Sequence, residues 1–149
     1  MLPVKTPKPD ASPKIRVLVV DDSVVIRRIL VHALASDPRV EVVGTAANGV
    51  LAIERVKALK PDLVTLDIEM PEMDGISALR AIKKLNRRIR VIMCSTLTER
   101  GAAVTIDALA LGADDYITKG SNAYGDVGLA GLKTLLLAKV RQCLCAKVR

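Results

Sequence analysis

From residue 15 onward the chain alternates short, continuous apolar runs with longer amphipathic ones, and most apolar runs break off at a polar residue. Residues 15–20 (IRVLVV) form the first run and stop at Asp21-Asp22. Ser23 is placed to cap a helix through Ala35, with Val25, Ile29, Leu30, Ala33 and Leu34 at helical spacing and Asp37-Pro38 as the break. Residues 40–45 read as a second strand, Asn48-Gly49 as a turn, and 50–59 as a second amphipathic helix stopped before Pro61. A third strand, 63–66 (LVTL), ends at Asp67; after the Met70-Pro71 loop, Asp74-Gly75 opens a helix through Leu85. The fourth strand, 91–94 (VIMC), ends at Ser95-Thr96, and a helix over about 100–111 is closed by Gly112. A short fifth strand, 116–118, ends at Lys119; a glycine-rich loop (Gly120, Gly125, Gly128, Gly131) then leads to a last helix over about 132–147.

Five strand–helix units in alternation call for an α/β fold: a doubly wound, five-stranded parallel sheet between two helical layers. Strands that read as unbroken apolar runs, not as alternating ones, belong to sheets covered on both faces. Residues 1–14 carry four prolines and three lysines and read as a disordered leader, so the folded domain is expected over 15–149. The final turns of the last helix, from about Cys143, can overrun that domain as a linker.

Composition sharpens this picture at three points. The chain has 149 residues, half of them hydrophobic, yet no Trp or Phe and two Tyr, so the core must be aliphatic. The net charge of +7 is carried largely by the two ends, without interleaved aromatic side chains, which argues against a nucleic-acid partner. The three cysteines (Cys94, Cys143, Cys145) have no second ligand pair near them and read as free thiols of a reducing compartment. With no apolar leader and no run of membrane-spanning length, a cytoplasmic location is expected.

The chemistry sits at the strand ends, where open parallel sheets bind their ligands. The first strand delivers Asp21 and Asp22, the third Asp67, the fourth Ser95 and Thr96, and the fifth Lys119. Three converging carboxylates repel one another unless a cation lies among them, and hard oxygen ligands of this kind suit Mg2+ or Mn2+. Metal, ammonium and hydroxyl donors around a carboxylate nucleophile are the parts a transferring phosphoryl group needs. Any one of these residues is explained as well by capping: Asp21 or Asp22 by the helix at Ser23, Asp67 by a loop. That acids, hydroxyls and a lysine fall at four separate strand ends on one edge is not explained so easily.

The segments VLVVDDS (17–23), LVTLDIEMPEMDG (63–75), VIMCST (91–96) and GADDYITK (112–119) resemble the response-regulator receiver domain, over roughly 14–149. The resemblance implies a flavodoxin-like (βα)5 fold. It implies that Asp67 accepts a phosphoryl group from a sensor histidine kinase. Asp22 would bind Mg2+ directly, Asp21 through water, and Glu69 through its backbone carbonyl. Ser95, or its neighbour Thr96, would be the switch hydroxyl, Lys119 the phosphoryl's cation, and Tyr116 the ring that turns inward on activation.

The stretch LVTLDIEMPEMDG with STLTERGAAVTIDALALGADDYITK is similar more narrowly to the receiver half of chemotaxis protein-glutamate methylesterases, which implies a methylesterase or other output domain as partner. No G-x-S-x-G elbow is present and His32 is the only histidine, so methylesterase activity is not expected of this chain, and it reads as a phosphoacceptor and not an enzyme. The alternative is an aspartyl-phosphate phosphatase using the same acids, which would place a second aspartate where Glu69 stands. Lys119 is followed by Gly120 where the family usually has proline. Oligomeric state is left open.

Overall fold

The computed structural model describes residues 14–70, 72–95, 99–118 and 125–148, with side chains given for all of these except 99–101, 125–130 and 144–148. The expected alternation is present. In chain order the elements are β1 (Ile15–Val20), α1 (Val24–Ala35), β2 (Val40–Ala46), α2 (Gly49–Leu59) and β3 (Leu63–Asp67). They continue with α3 (Gly75–Leu85), β4 (Arg90–Ser95), α4 (Glu99–Ala110), β5 (Asp115–Thr118) and α5 (Gly125–Val148). All strand pairs are parallel. The order across the sheet is β2-β1-β3-β4-β5, so the chain reverses its direction of winding between β1 and β3.

Period-two geometry splits each strand between two cores. Leu18, Val20, Val64, Leu66, Val91 and Met93 face one side, against Ala52 and Val56 of α2, Ala78, Leu79 and Ile82 of α3, and Ala108 of α4. Val17, Val19, Leu63, Ile92, Cys94 and Ile117 face the other, against Leu30, Ala33 and Leu34 of α1 and Leu132, Leu136 and Val140 of α5. Both faces are dry, which is why the strands read as continuous hydrophobic runs. Cys94 and Cys143 are both buried and, among the described residues, neither forms a disulfide, in line with their reading as thiols.

Local signals set most boundaries. Ser23 caps α1 through a hydrogen bond from the Ile26 N–H, and Asp74 caps α3 through one from the Ser77 N–H. Lys60 ends α2 in the left-handed region (φ 49°) just before Pro61, which disfavours helix at that position. Gly112 (φ 110°) closes α4 as a residue free of Cβ strain.

Three expectations are corrected. Asn48-Gly49 is no separate turn: Asn48 is the cap of α2, its side chain accepting the Leu51 N–H at 2.9 Å, and Gly49 is the first helical residue. Val25 is 65% exposed, and Ile26 takes its place in the buried stripe of α1. The last helix begins at Gly125, seven residues before Leu132, so Gly125, Gly128 and Gly131 lie within it and not in a loop. Glycine weakens a helix by about 1 kcal/mol per residue but does not forbid it. Once a helix is nucleated, each added residue gains a hydrogen bond. At its other end, Cys143 still belongs to the core beside Val140, so packing on the sheet reaches at least that turn.

Candidate functional site

The reversal between β1 and β3 opens a crevice at the carboxyl ends of these neighbouring strands, where their terminal acids meet. Asp21, Asp22 and Asp67 each offer a carboxylate oxygen, and these oxygens all lie within 4.8 Å of one another. Asp21 and Asp67 are buried, whereas Asp22 faces solvent. The backbone holds the group in shape. Asp21 Oδ1 accepts the Ser23 N–H at 2.9 Å, its own N–H donates to the Ala46 carbonyl, and Asp67 Oδ1 accepts the Glu69 N–H at 3.3 Å.

Two contributors were not evident from the pattern of the chain. Arg27, one turn into α1, donates from Nη1 to the Asp21 carbonyl at 2.7 Å and fixes the loop that carries both acids. Gly75 lets the start of α3 pass directly under Asp67: a Cβ there would collide with the Asp67 carbonyl oxygen and lie 2.7 Å from Ile68 Cα. The Gly75 N–H donates to the Ile68 carbonyl at 2.9 Å. The Asp-Gly pair at 74–75 was legible as a helix start, but not as a close approach to an acid eight residues earlier.

Asp22 and Asp67 line one end of a cleft of about 830 Å³ that runs on between α3 and α4, past Glu69, Met70, Ile76, Arg80, Val104 and Asp107. Ser95 closes β4 beside β3 and is buried, in register with Thr118 of β5. Tyr116 lies on β5 and is 44% exposed as a residue. Thr96, Lys119 and Gly120 lie outside the described residues.

Separations of this size fit a divalent cation. Ligands about 2.1 Å from an octahedral ion stand no more than roughly 4.2 Å apart, so oxygens within 4.8 Å leave room for direct ligands plus one that acts through water. The donors are all oxygen, which suits a hard ion.

Residues 17–124 match the family model of the response regulator receiver domain. The chain belongs to the response-regulator receiver family. Among solved structures, the receiver is similar to the response regulator domain of Thermotoga maritima CheB. Identity there is 46% and the TM-score 0.76, over 87% of this chain and 96% of that one. It is also similar to a chain of the CheX-CheY-BeF3-Mg2+ complex from Borrelia burgdorferi, at 34% identity and a TM-score of 0.68, over 84% and 90%. Among curated proteins it is 53% identical to a protein-glutamate methylesterase/protein-glutamine glutaminase of Nocardioides sp., over 92% of this chain and 36% of the relative. A Pyrococcus abyssi protein of the same description is 48% identical, over 87% and 34%. The receiver thus spans about a third of the length of these curated relatives. Among the described residues, no helix is long and apolar enough to cross a membrane.

Proposed function

We propose that residues 15–149 are a two-component receiver that takes a phosphoryl group on Asp67 from the phosphohistidine of a sensor kinase, in chemotaxis-type signalling. The observation that carries this reading is the meeting of Asp21, Asp22 and Asp67, from two strands and separated by dozens of residues, within 4.8 Å. Asp22 and Asp67, with the Glu69 carbonyl, would hold Mg2+ (or Mn2+), and Asp21 would act through a bound water. Bound there, the ion would neutralise charge on the transferring group. The complex similar to this receiver contains Mg2+ and BeF3, which supports that assignment.

This chain's own residues do the rest. The Asp67 carboxylate is the nucleophile, giving an aspartyl phosphate, and the histidine nitrogen is the leaving group. Ser95, or Thr96 beside it, donates a hydroxyl to a phosphoryl oxygen, and Lys119 pairs with another. Backbone bonds to Asp21 and Asp67 orient both carboxylates before the donor arrives.

The new group brings about −1.5 to −2 charges and three strong acceptors. Drawing Ser95 toward the phosphate frees space for Tyr116 to turn inward, and the surface of α4, β5 and α5 changes shape as a population shift. The partners are the kinase and a methylesterase or other output domain; neither nucleic acid nor membrane is expected, and the location proposed is the cytoplasm. The chain acts as a phosphoacceptor, with at most self-phosphorylation and self-dephosphorylation.

The test is incubation with acetyl phosphate and Mg2+ followed by intact mass. One phosphoryl adduct is expected for the wild type and none for Asp67→Asn or without metal. No adduct with acetyl phosphate and with a competent histidine kinase would overturn the assignment. Rapid multiple turnover of an aryl phosphate would favour the phosphatase alternative.

A further inference from the structure

On the surface of β5, one ammonium touches both the switch ring and its neighbour. Lys139 of α5 places Nζ 2.7 Å from Asp115 Oδ1 and 5.2 Å from the centroid of the Tyr116 ring. The same Asp115 oxygen accepts the Tyr116 N–H at 2.8 Å. The carboxylate is thereby tied to the backbone of the very residue whose ring the lysine covers. The Lys139 side chain is only 18% exposed, so its charge is partly withdrawn from water, where attraction to a ring face is stronger. Tyr116 itself lies outward, with nearly half its surface in solvent.

We propose that Lys139 is a positioning residue that holds Tyr116 outward and so sets how much phosphorylation is needed to turn it in. The inference rests on the reading of Tyr116 as the switch ring. Its physical basis is differential. The Asp115–Lys139 ion pair joins β5 to α5 through atoms that do not move with the ring, and persists in either ring position. The cation–π contact exists only while the ring is outward. An interaction made in one state alone shifts the equilibrium between the two. Phosphorylation then works against a defined bias, and Lys139 carries that bias from a helix that supplies none of the acids.

The test compares the wild type with Lys139→Gln, Lys139→Arg and, as a charge control on the same helix, Lys133→Gln. Three-bond couplings to Tyr116 Cγ report its χ1 populations directly. In the unphosphorylated protein, Lys139→Gln is expected to raise the inward-to-outward ratio about two- to fivefold, the worth of one surface cation–π contact. Lys139→Arg, which keeps both charge and ring contact, should restore the wild-type ratio, and Lys133→Gln should leave it unchanged. Asp115→Asn, which still accepts the Tyr116 N–H but loosens the ammonium, should shift the ratio in the same direction by less.

With acetyl phosphate and Mg2+, the donor concentration for half-conversion of the ring should fall by the same factor in Lys139→Gln. Unchanged couplings in Lys139→Gln, or an arginine variant that behaves like the glutamine one, would overturn the proposal. Failure of Asp67 to take up a phosphoryl group would instead remove the function proposed above, and the unphosphorylated comparison would still decide the role of Lys139.

Discussion

The two ends of the sheet use aspartate in opposite ways. At the amino ends of the strands, acids are surrounded by named donors. Asp114 accepts from Lys83 Nζ at 2.9 Å, Arg90 Nη1 at 3.0 Å and the Val91 N–H at 2.8 Å. Asp37, before β2, accepts from the Arg39 N–H and from Arg141 of α5, 104 residues away. Asp62, before β3, accepts the Arg16 N–H.

At the carboxyl ends, Asp21, Asp22 and Asp67 are brought toward one another. The first arrangement ties strands and helices together. The second accumulates negative charge that a cation and a phosphoryl group can use. The difference teaches that a buried acid is informative only through its neighbours. Acids met by bases at the amino ends tie the fold together, whereas acids drawn toward one another at the strand reversal form the candidate site.

At the amino ends, the donors around Asp114 and Asp37 also shift how these two acids titrate. Burial alone would push the Asp114 carboxyl up, but Lys83, the Val91 N–H and Arg90 outweigh it and hold it below the usual carboxylate range. The Arg39 backbone N–H, working against burial and helped by the Arg39 and Arg141 side chains, lowers Asp37 as well. A carboxyl whose folded pKa is depressed contributes stability above its unfolded pKa, near 4, and loses it as pH falls through the folded value.

The largest expected effect comes from breaking the amino end. Asp114→Asn cannot satisfy two cations and should cost about 2–3 kcal/mol in urea unfolding at pH 7, discounted for partial exposure. Because the lost contribution is the acid-sensitive one, the variant's stability should also fall less steeply than the wild type's below pH 4. Next comes the carboxyl end by way of its backbone. Gly75→Ala must displace Asp67 or α3, at about 2 kcal/mol, and should raise the Mg2+ concentration for half-saturation; a variant with normal Mg2+ binding would show that the close approach does not shape the site.

A smaller effect is expected midway along the sheet. Thr65 is buried between Val19 and Ile92, and its hydroxyl makes no hydrogen bond among the described residues. Thr65→Val should gain about 1 kcal/mol in the same urea assay. The smallest effect has the opposite sign to the first. Asp22→Asn relieves repulsion in metal-free protein, raising stability by about 0.5 kcal/mol, and abolishes the rise in melting temperature that Mg2+ gives the wild type. A loss of metal-free stability in this variant would erase the contrast between the two ends.

Much of the candidate site was legible because its residues end apolar runs. Asp21, Asp67 and Ser95 could be placed on one edge without coordinates, since parallel strands all point the same way. Arg27 and Lys139 were not legible in their roles. Arginine one turn into an amphipathic helix and lysine on a basic terminal helix are ordinary surface residues by pattern, and their partners lie on other elements. The glycines of α5 misled because local propensity weighs against helix where the chain is helical.

The sequence by itself determined the alternation of elements, the aliphatic character of both cores and the edge on which the acids lie, because these follow from periodicity and chain direction. Only the tertiary structure decided which acids meet one another and which meet bases. Strand order makes β1 and β3 neighbours and brings Asp114 to Lys83 and Arg90, and electrostatic energy depends on distances between side chains that chain separation does not encode.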